Sequence, residues 1–172
     1  MILKQTIQKE MTWSDIEDAI RTGALKRGDL LEIENRTWKV LDASPGNAFI
    51  WQCHGPMDRV VFNESGSNEY EGSDIQKYAR ETFPAKVPEK LREMVTEEGF
   101  FPLSIEEVEK YLPTEAERIA SDEDGETWWY WLRSAYRGSA YSTWYVNSSG
   151  VVYIYRATNA IRFSPACHLQ VN

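Results

Sequence analysis

The last 46 residues of the chain, 127–172, contain no Asp, Glu or Lys. All 27 carboxylates of the 172-residue chain lie before them, and the segment's formal charge of +4 comes from Arg133, Arg137, Arg156 and Arg162. Half of the aromatic residues, 11 of 22, sit in the same segment. A stretch so poor in solvating charge does not read as exposed helix. Its aromatic and β-branched residues predict strands, whose rings bury against the rest of the chain or against a ligand. The concentration peaks in WWYWLRSAYRGSAYSTWYVNSSG, which holds four Trp and four Tyr in 23 residues.

The spacing predicts strands over 128–133, 143–146, 151–156 and 160–163, with a hairpin turn at Asn147-Ser148-Ser149-Gly150. Pro165 suggests an edge or a bend. The first 126 residues carry a formal charge of −12 and read as mixed α and β. Thr12 or Ser14 is placed to cap a helix that runs to Thr22 and stops at Gly23, with Trp13, Ile16, Ala19 and Ile20 on one face. A strand meander over 29–33, 37–42 and 48–53 comes next. Ser73 with Gln76 reads as a capping box opening a helix to Phe83, and Pro88 starts another through Val95. Ser104 with Glu107 is a third box, with Ile105, Val108 and Leu112 as the apolar stripe and Pro113 as the stop. The acidic loop 121–126 is not a calcium loop. The sixth position from Asp122 is Thr127 rather than Gly, and the twelfth is Arg133 rather than Glu. The expectation is one α+β domain over 1–172, an acidic scaffold (1–126) whose N-terminal helices support an aromatic β region (127–172).

Bulk composition narrows the function. A net charge of −8 argues against a nucleic-acid partner. The N-terminal segment MILKQTIQKEMTWSDIEDAI has no long apolar run, and no stretch approaches 18 apolar residues. The expected chain is cytoplasmic as synthesised, without membrane insertion. Cys53-His54 and Cys167-His168 invite a zinc reading, but neighbours in a strand point to opposite faces, so each pair offers a metal one ligand. Half-buried cysteines beside exposed histidines, with no metal and no cofactor, are expected. No nucleophile motif and no Gly-rich phosphate loop is present, so no enzyme is expected.

An ordered series of short motifs carries a resemblance: GDLLEIENRTWKVLD from Gly28, Phe62-Asn63, YEGSDIQKY from Tyr70, FFPLSIEEVEKYL from Phe100, YWLRS from Tyr130, WYVNSSGVV from Trp144 and IRFSPACHL from Ile161. The series resembles an uncharacterised domain family of gut bacteria and their phages with WLRS and terminal RPA motifs. This chain departs at the last motif, where two residues separate Arg162 from Pro165. That form resembles the variable proteins of diversity-generating retroelements. The resemblance implies a C-type-lectin-like fold of the formylglycine-generating-enzyme subtype that displays variable residues for ligand binding. Randomising the first two bases of AAC or AAT codons cannot give Lys, Glu, Gln, Trp or Met. Between Ala135 and Phe163 only Trp144 breaks that rule, although Asp, which such codons can give, is missing.

Tyr, Ser, Gly and Asn also dominate antibody paratopes, where Tyr gives rigid contact area at low entropic cost. The candidate ligand-binding residues are Tyr136, Arg137, Ser139, Tyr141, Ser142, Tyr153, Tyr155, Arg156 and Asn159. Residues 128–131 are expected in the core, with Trp144 and Val146 inward, Tyr145 outward, and Arg133 and Arg162 structural. The expected role is display of a binding face toward a protein or glycan on a cell surface, with the protein reaching a virion or cell surface after assembly. A structural module of a phage or bacterial particle, and a degenerate formylglycine-generating-type enzyme using Cys53 and Cys167, are the alternatives.

Overall fold

The computed structural model describes residues 2, 3 and 9–172, so part of the N-terminal segment lies outside the described residues. In chain order the strands and helices are β1 (Ile2–Leu3), β2 (Lys9–Glu10), α1 (Trp13–Thr22), β3 (Leu30–Ile33), β4 (Arg36–Ser44), β5 (Asn47–His54) and β6 (Arg59–Val61). Then come α2 (Asp74–Lys77), α3 (Glu89–Met94), β7 (Phe101–Pro102), α4 (Ile105–Tyr111), β8 (Ala120–Ser121) and β9 (Thr127–Trp128). The chain continues through β10 (Tyr130–Ala135), β11 (Ser142–Val146), β12 (Val152–Arg156), β13 (Ala160–Arg162) and β14 (Pro165–Gln170). Among the described residues, one sheet runs β2-β1-β3-β4-β5-β14-β7, with β8 pairing β5 and β9 pairing β8. The other runs β12-β11-β10-β13-β6. Pairing is antiparallel except for single parallel contacts of β5 with β8 and of β10 with β13. The protein is therefore α+β, with short helices on antiparallel sheets.

Local chemistry explains the helices. Thr12 Oγ1 accepts from the Asp15 N–H, Asp15 returns the bond to the Thr12 N–H, and Gly23 closes α1 in the left-handed region. Ile16 and Ile20 turn inward. Ser104 and Glu107 form the same reciprocal box on α4. The helix expected from Ser73 to Phe83 is interrupted. Ser73 caps only α2, Gln76 Oε1 turns back to the Gly72 N–H at 2.7 Å, and a π turn over Tyr78–Thr82 precedes a 3-10 turn over Phe83–Lys86. Pro84 has no N–H to continue an α ladder.

The central strands β5 and β10 bury both faces. In β5, Ala48 and Ile50 join a core that includes Ile16, Ile20, Phe62, Phe83 and Leu91, while Phe49 and Trp51 face a second core with Met57, Phe101, Val108 and Leu112. Strand β10 repeats the pattern: Trp131 enters the first core, and Tyr130 and Leu132 enter the second. Double burial is why these strands read as continuous apolar runs.

The split into an acidic front and an aromatic tail does not match the topology. Strand β6, from the front, pairs with β13 of the tail. Strand β14, the end of the tail, lies between β5 and β7 of the first sheet. Pro165 thus marks neither an edge nor a bend. It is the first residue of an interior strand, a position where a missing N–H is tolerated. Just before it, the buried Ser164 Oγ accepts from Trp51 Nε1 at 2.7 Å and donates to the Gln52 carbonyl at 2.8 Å.

Gly150 closes the β11–β12 turn at φ +82°, and a Cβ there would sit 1.9 Å from the Glu115 carbonyl oxygen. Gly72 has a similar φ of +80° but open space around it. Gly150→Ala is expected to lower stability by about 2–4 kcal/mol, from left-handed strain plus overpacking. Gly72→Ala should lose about 1–2 kcal/mol from strain alone. Denaturant unfolding of the two variants checks the difference.

Candidate functional site

Each residue of the WLRS motif has a distinct structural task. Trp131 fills the first core and donates from Nε1 to the Val60 carbonyl at 2.8 Å. Leu132 fills the second core. Arg133 donates to the Pro102 carbonyl at 2.7 Å and pairs with Glu107 at 2.6 Å. Ser134 Oγ accepts from the Ile105 N–H at 2.9 Å, satisfying a free donor in the first turn of α4. Arg133 is structural, as the sequence suggested. So is Arg162, which donates to the Met57 carbonyl at 2.9 Å and stacks over Trp128 at 4.2 Å.

The loop from Tyr136 to Ser142 hangs from this frame, and one residue of the front half holds it. The side-chain amine of the buried Asn68 lies 3.0 Å from the Tyr136 carbonyl, 2.8 Å from that of Ser139 and 2.8 Å from that of Ser142. An amide amine has two hydrogens, so three carbonyls share them. The Asn68 N–H donates to Ala140 O, and the Tyr136 N–H to Ser142 O. Gly138 completes the arrangement: a Cβ there would lie 2.3 Å from the Tyr136 ring, which instead packs edge-on against Trp144 at 5.5 Å.

The nine candidate residues do not share one face. Tyr136, Arg137 and Ser139 line a groove of about 890 Å³ with Asn68, Trp144, Glu69 and the α4 residues Glu106 and Glu109. Ser142 stands opposite Arg156 in the β11–β12 register, and Tyr141 O accepts from the Ala157 N–H, which brings the turn holding Asn159 to the same end of the sheet. Among the described residues Tyr141 is the most open of the large apolar side chains, at 63% exposure. Tyr153 and Tyr155 alternate to the other face, where Tyr153 is 55% exposed and Tyr155 leans on Tyr145 and Trp131.

Several expected orientations do not hold. Tyr145 is buried against Trp129 and Tyr155 rather than outward, whereas Trp144 does turn inward, half-buried against the second core with Tyr136 on its edge. Among residues 128–131, Tyr130 and Trp131 are core, but Trp128 is half-buried and Trp129 is 38% exposed. These two line a second cleft, of about 420 Å³, with Arg59, Tyr155 and Arg162. Sequence reading missed Asn68, whose partners lie 68–74 residues away, and Arg59, which has no local motif.

Cys167 is fully buried rather than half-buried, and both histidines are half-buried rather than exposed. His168 stacks on Phe49 at 4.3 Å, and His54 Nδ1 lies 2.7 Å from Ser121 Oγ. Cys53 packs at the second core and Cys167 in the first, so the two free thiols face opposite sides of the sheet. Burial raises the pKa of both, the reverse of a thiolate-activating environment. Among the described residues, no group of three or more His, Cys, Asp or Glu is arranged to hold a metal ion, and no helix is long and apolar enough to cross a membrane.

Asn68→Ala is expected to loosen the loop, with faster amide exchange over 136–142 and a stability loss of about 1–3 kcal/mol. Asn68→Asp should lose at least as much, because an ionised carboxylate facing three carbonyls has nothing to donate. Hydrogen exchange and denaturant unfolding check both. In the loop beneath the second cleft, Asp122 accepts from Trp128 Nε1 at 2.6 Å, and this bond, foremost, lowers its carboxyl pKa. A depressed carboxylate pKa means the interaction is fully present above the ordinary value of about 4 and is lost as pH falls through the depressed one. A carboxyl NMR titration should show Asp122 ionising below the ordinary value, and Trp128→Phe should move it upward.

No curated protein and no solved structure matches the chain. Residues 96–171 match the family model described as a domain of unknown function, DUF6273. The matched segment runs from just before β7 through β14 and includes α4, the WLRS strand and most of the second sheet. Over that segment the chain is similar to an uncharacterised family, as its WLRS and terminal motifs suggested.

Proposed function

We propose that this chain is a ligand-display protein whose front half and WLRS strand hold a Tyr/Ser/Arg-rich loop for binding. In this reading the fold is a variant of the C-type-lectin-like class, of the formylglycine-generating-enzyme subtype. The gene is the variable target of a diversity-generating retroelement in a gut bacterium or its phage. The ligand is a protein or glycan on a cell surface, and no chemistry is performed on it. The carrying observation is the Asn68 clamp: three carbonyls of an otherwise exposed loop are tied to one buried side chain, while Arg137 and Tyr141 stay open to solvent. A loop fixed through its main chain keeps its shape while its side chains vary, which is what a display scaffold requires. Glu69, Glu106 and Glu109 beside Arg137 give the groove a mixed-charge rim suited to a polar ligand.

One observation favours the alternative, a structural module of a phage or bacterial particle. Strand β12 is an edge of the second sheet, with Ile154 39% exposed on one face and Tyr153 on the other, so a second chain could add a strand there. Two measurements separate the readings. The locus of a display protein should hold a reverse transcriptase and a near-copy of the codons for 135–163 that differs only at adenines; no such copy sinks the retroelement origin. Against a glycan array and intact bacterial cells, Tyr141→Ala and Arg137→Ala should each weaken binding about tenfold, a typical contact loss of about 1–2 kcal/mol. Unchanged binding in both variants removes the loop from the ligand site, and self-association abolished by Ile154→Lys supports the assembly module.

A further inference from the structure

Arg59 and Arg162 stand directly opposite each other across the β6–β13 pair, so both side chains leave the same face of the sheet. Like charges at directly opposed positions repel. Both guanidinium groups sit over the Trp128 ring, at 5.9 Å and 4.2 Å. Among the described residues neither makes a salt bridge, and Asp122, whose charge acts on Arg162, spends its oxygens on other donors. Asp122 accepts from the Trp128 indole with one oxygen and from the main chain of Asp124 and Glu126 with the other. Asp58, next in sequence to Arg59, is taken by Tyr78 and Lys86. Arg162 spends one amine on the Met57 carbonyl, and its buried Nε has no partner. In a chain of net charge −8, these two cations have a nearby anion in Asp122 but no carboxylate bonded to either guanidinium among the described residues.

The wall beside them is aromatic. Trp129 is exposed and braced by Tyr145 at 5.0 Å and by Tyr155 at 5.6 Å. The cleft between this wall and the two arginines, about 420 Å³, lies within the size range of small-molecule sites. Guanidinium groups recognise carboxylates through paired N–H donors, and the faces of Trp and Tyr stack on rings. We propose that this cleft binds a carboxylate carried on a ring, with the anion between Arg59 and Arg162 and the ring against Trp129 and Tyr155. Uronic acid residues of acidic glycans and aromatic carboxylic acids share this chemistry. The cleft is separate from the loop at 136–142 and stands whether or not that loop binds a ligand.

The test is titration of the full chain with D-glucuronate, benzoate, acetate, glucose and benzyl alcohol, read by the Trp129 indole N–H resonance and by tryptophan fluorescence. Glucuronate or benzoate, or both, should bind one to one and shift the Trp129 signal; which of the two binds tighter identifies the source as a sugar acid or an aromatic acid. Their neutral counterparts and acetate should bind at least tenfold more weakly. The Arg59 side chain is exposed and makes no hydrogen bond among the described residues, so Arg59→Gln should leave the melting temperature unchanged and weaken ring carboxylates at least tenfold. Trp129→Ala should bring their affinity down to that of acetate, whereas Tyr141→Ala should not alter it. The proposal is overturned if no ring carboxylate moves the Trp129 signal, if neutral compounds or acetate bind as tightly, or if Arg59→Gln binds like the parent.

Discussion

The first half of strand β10 has no solvent face. Tyr130 and Leu132 are locked into one core and Trp131 into the other, and the polar ends of the same strand reach α4 and the turn before it through Arg133 and Ser134. Both sheets, both cores and α4 therefore meet on six residues. Replacing Trp131 would open a cavity in the first core and also strand the Val60 carbonyl it bonds. Because the strand is fixed from both sides, the loop that leaves its C-terminal end, with the exposed Arg137 and Tyr141, starts from a defined point.

The two clefts lie on different parts of the second sheet and differ in electrostatic character. At the loop end, Arg137 meets glutamates from the front half of the chain. At the Trp128 end, two arginines meet aromatic rings, and the nearby acid is tied into its own turn. The absence of carboxylates after Glu126 matters for this contrast. The tail supplies cations and rings, and every acid near either cleft is delivered by the first 126 residues, at a position their own fold decides.

Much of the architecture was legible in the sequence because its signals are local. Thr12 and Gly23 bracket α1, Ser104 and Glu107 open α4, and the meander β3–β5 obeys the alternation and turn residues. The misreadings share a different cause. Pro165 looked like an edge because a proline lacks an N–H, yet the first residue of an interior strand does not need one. Tyr145 looked outward because alternation gives relative faces only, and where β11 is buried on both sides Tyr145 and Val146 are each inside. Asn68 carried no signal at all, since an Asn in a Ser/Gly-rich loop reads as an ordinary turn residue and its acceptors are main-chain atoms far along the chain. The candidate loop was found by composition, whereas the arginine cleft arises from a strand pairing that composition does not encode.

The insertion of β14 between β5 and β7 bears on how the molecule assembles. Trp51 and Ser164, joined by a hydrogen bond at this junction, are 113 residues apart in sequence. Until residues 165–170 have left the ribosome, β5 presents an open apolar edge, and neither core can close. Contacts of such long range slow folding, because the loop entropy is lost before the burial is gained. Holding an incomplete sheet during synthesis favours capture by chaperones over early autonomous folding. A substitution in the 136–142 loop is therefore tried for folding only once residues 165–170 are available, and one that disturbs the path to β14 fails as a folding problem.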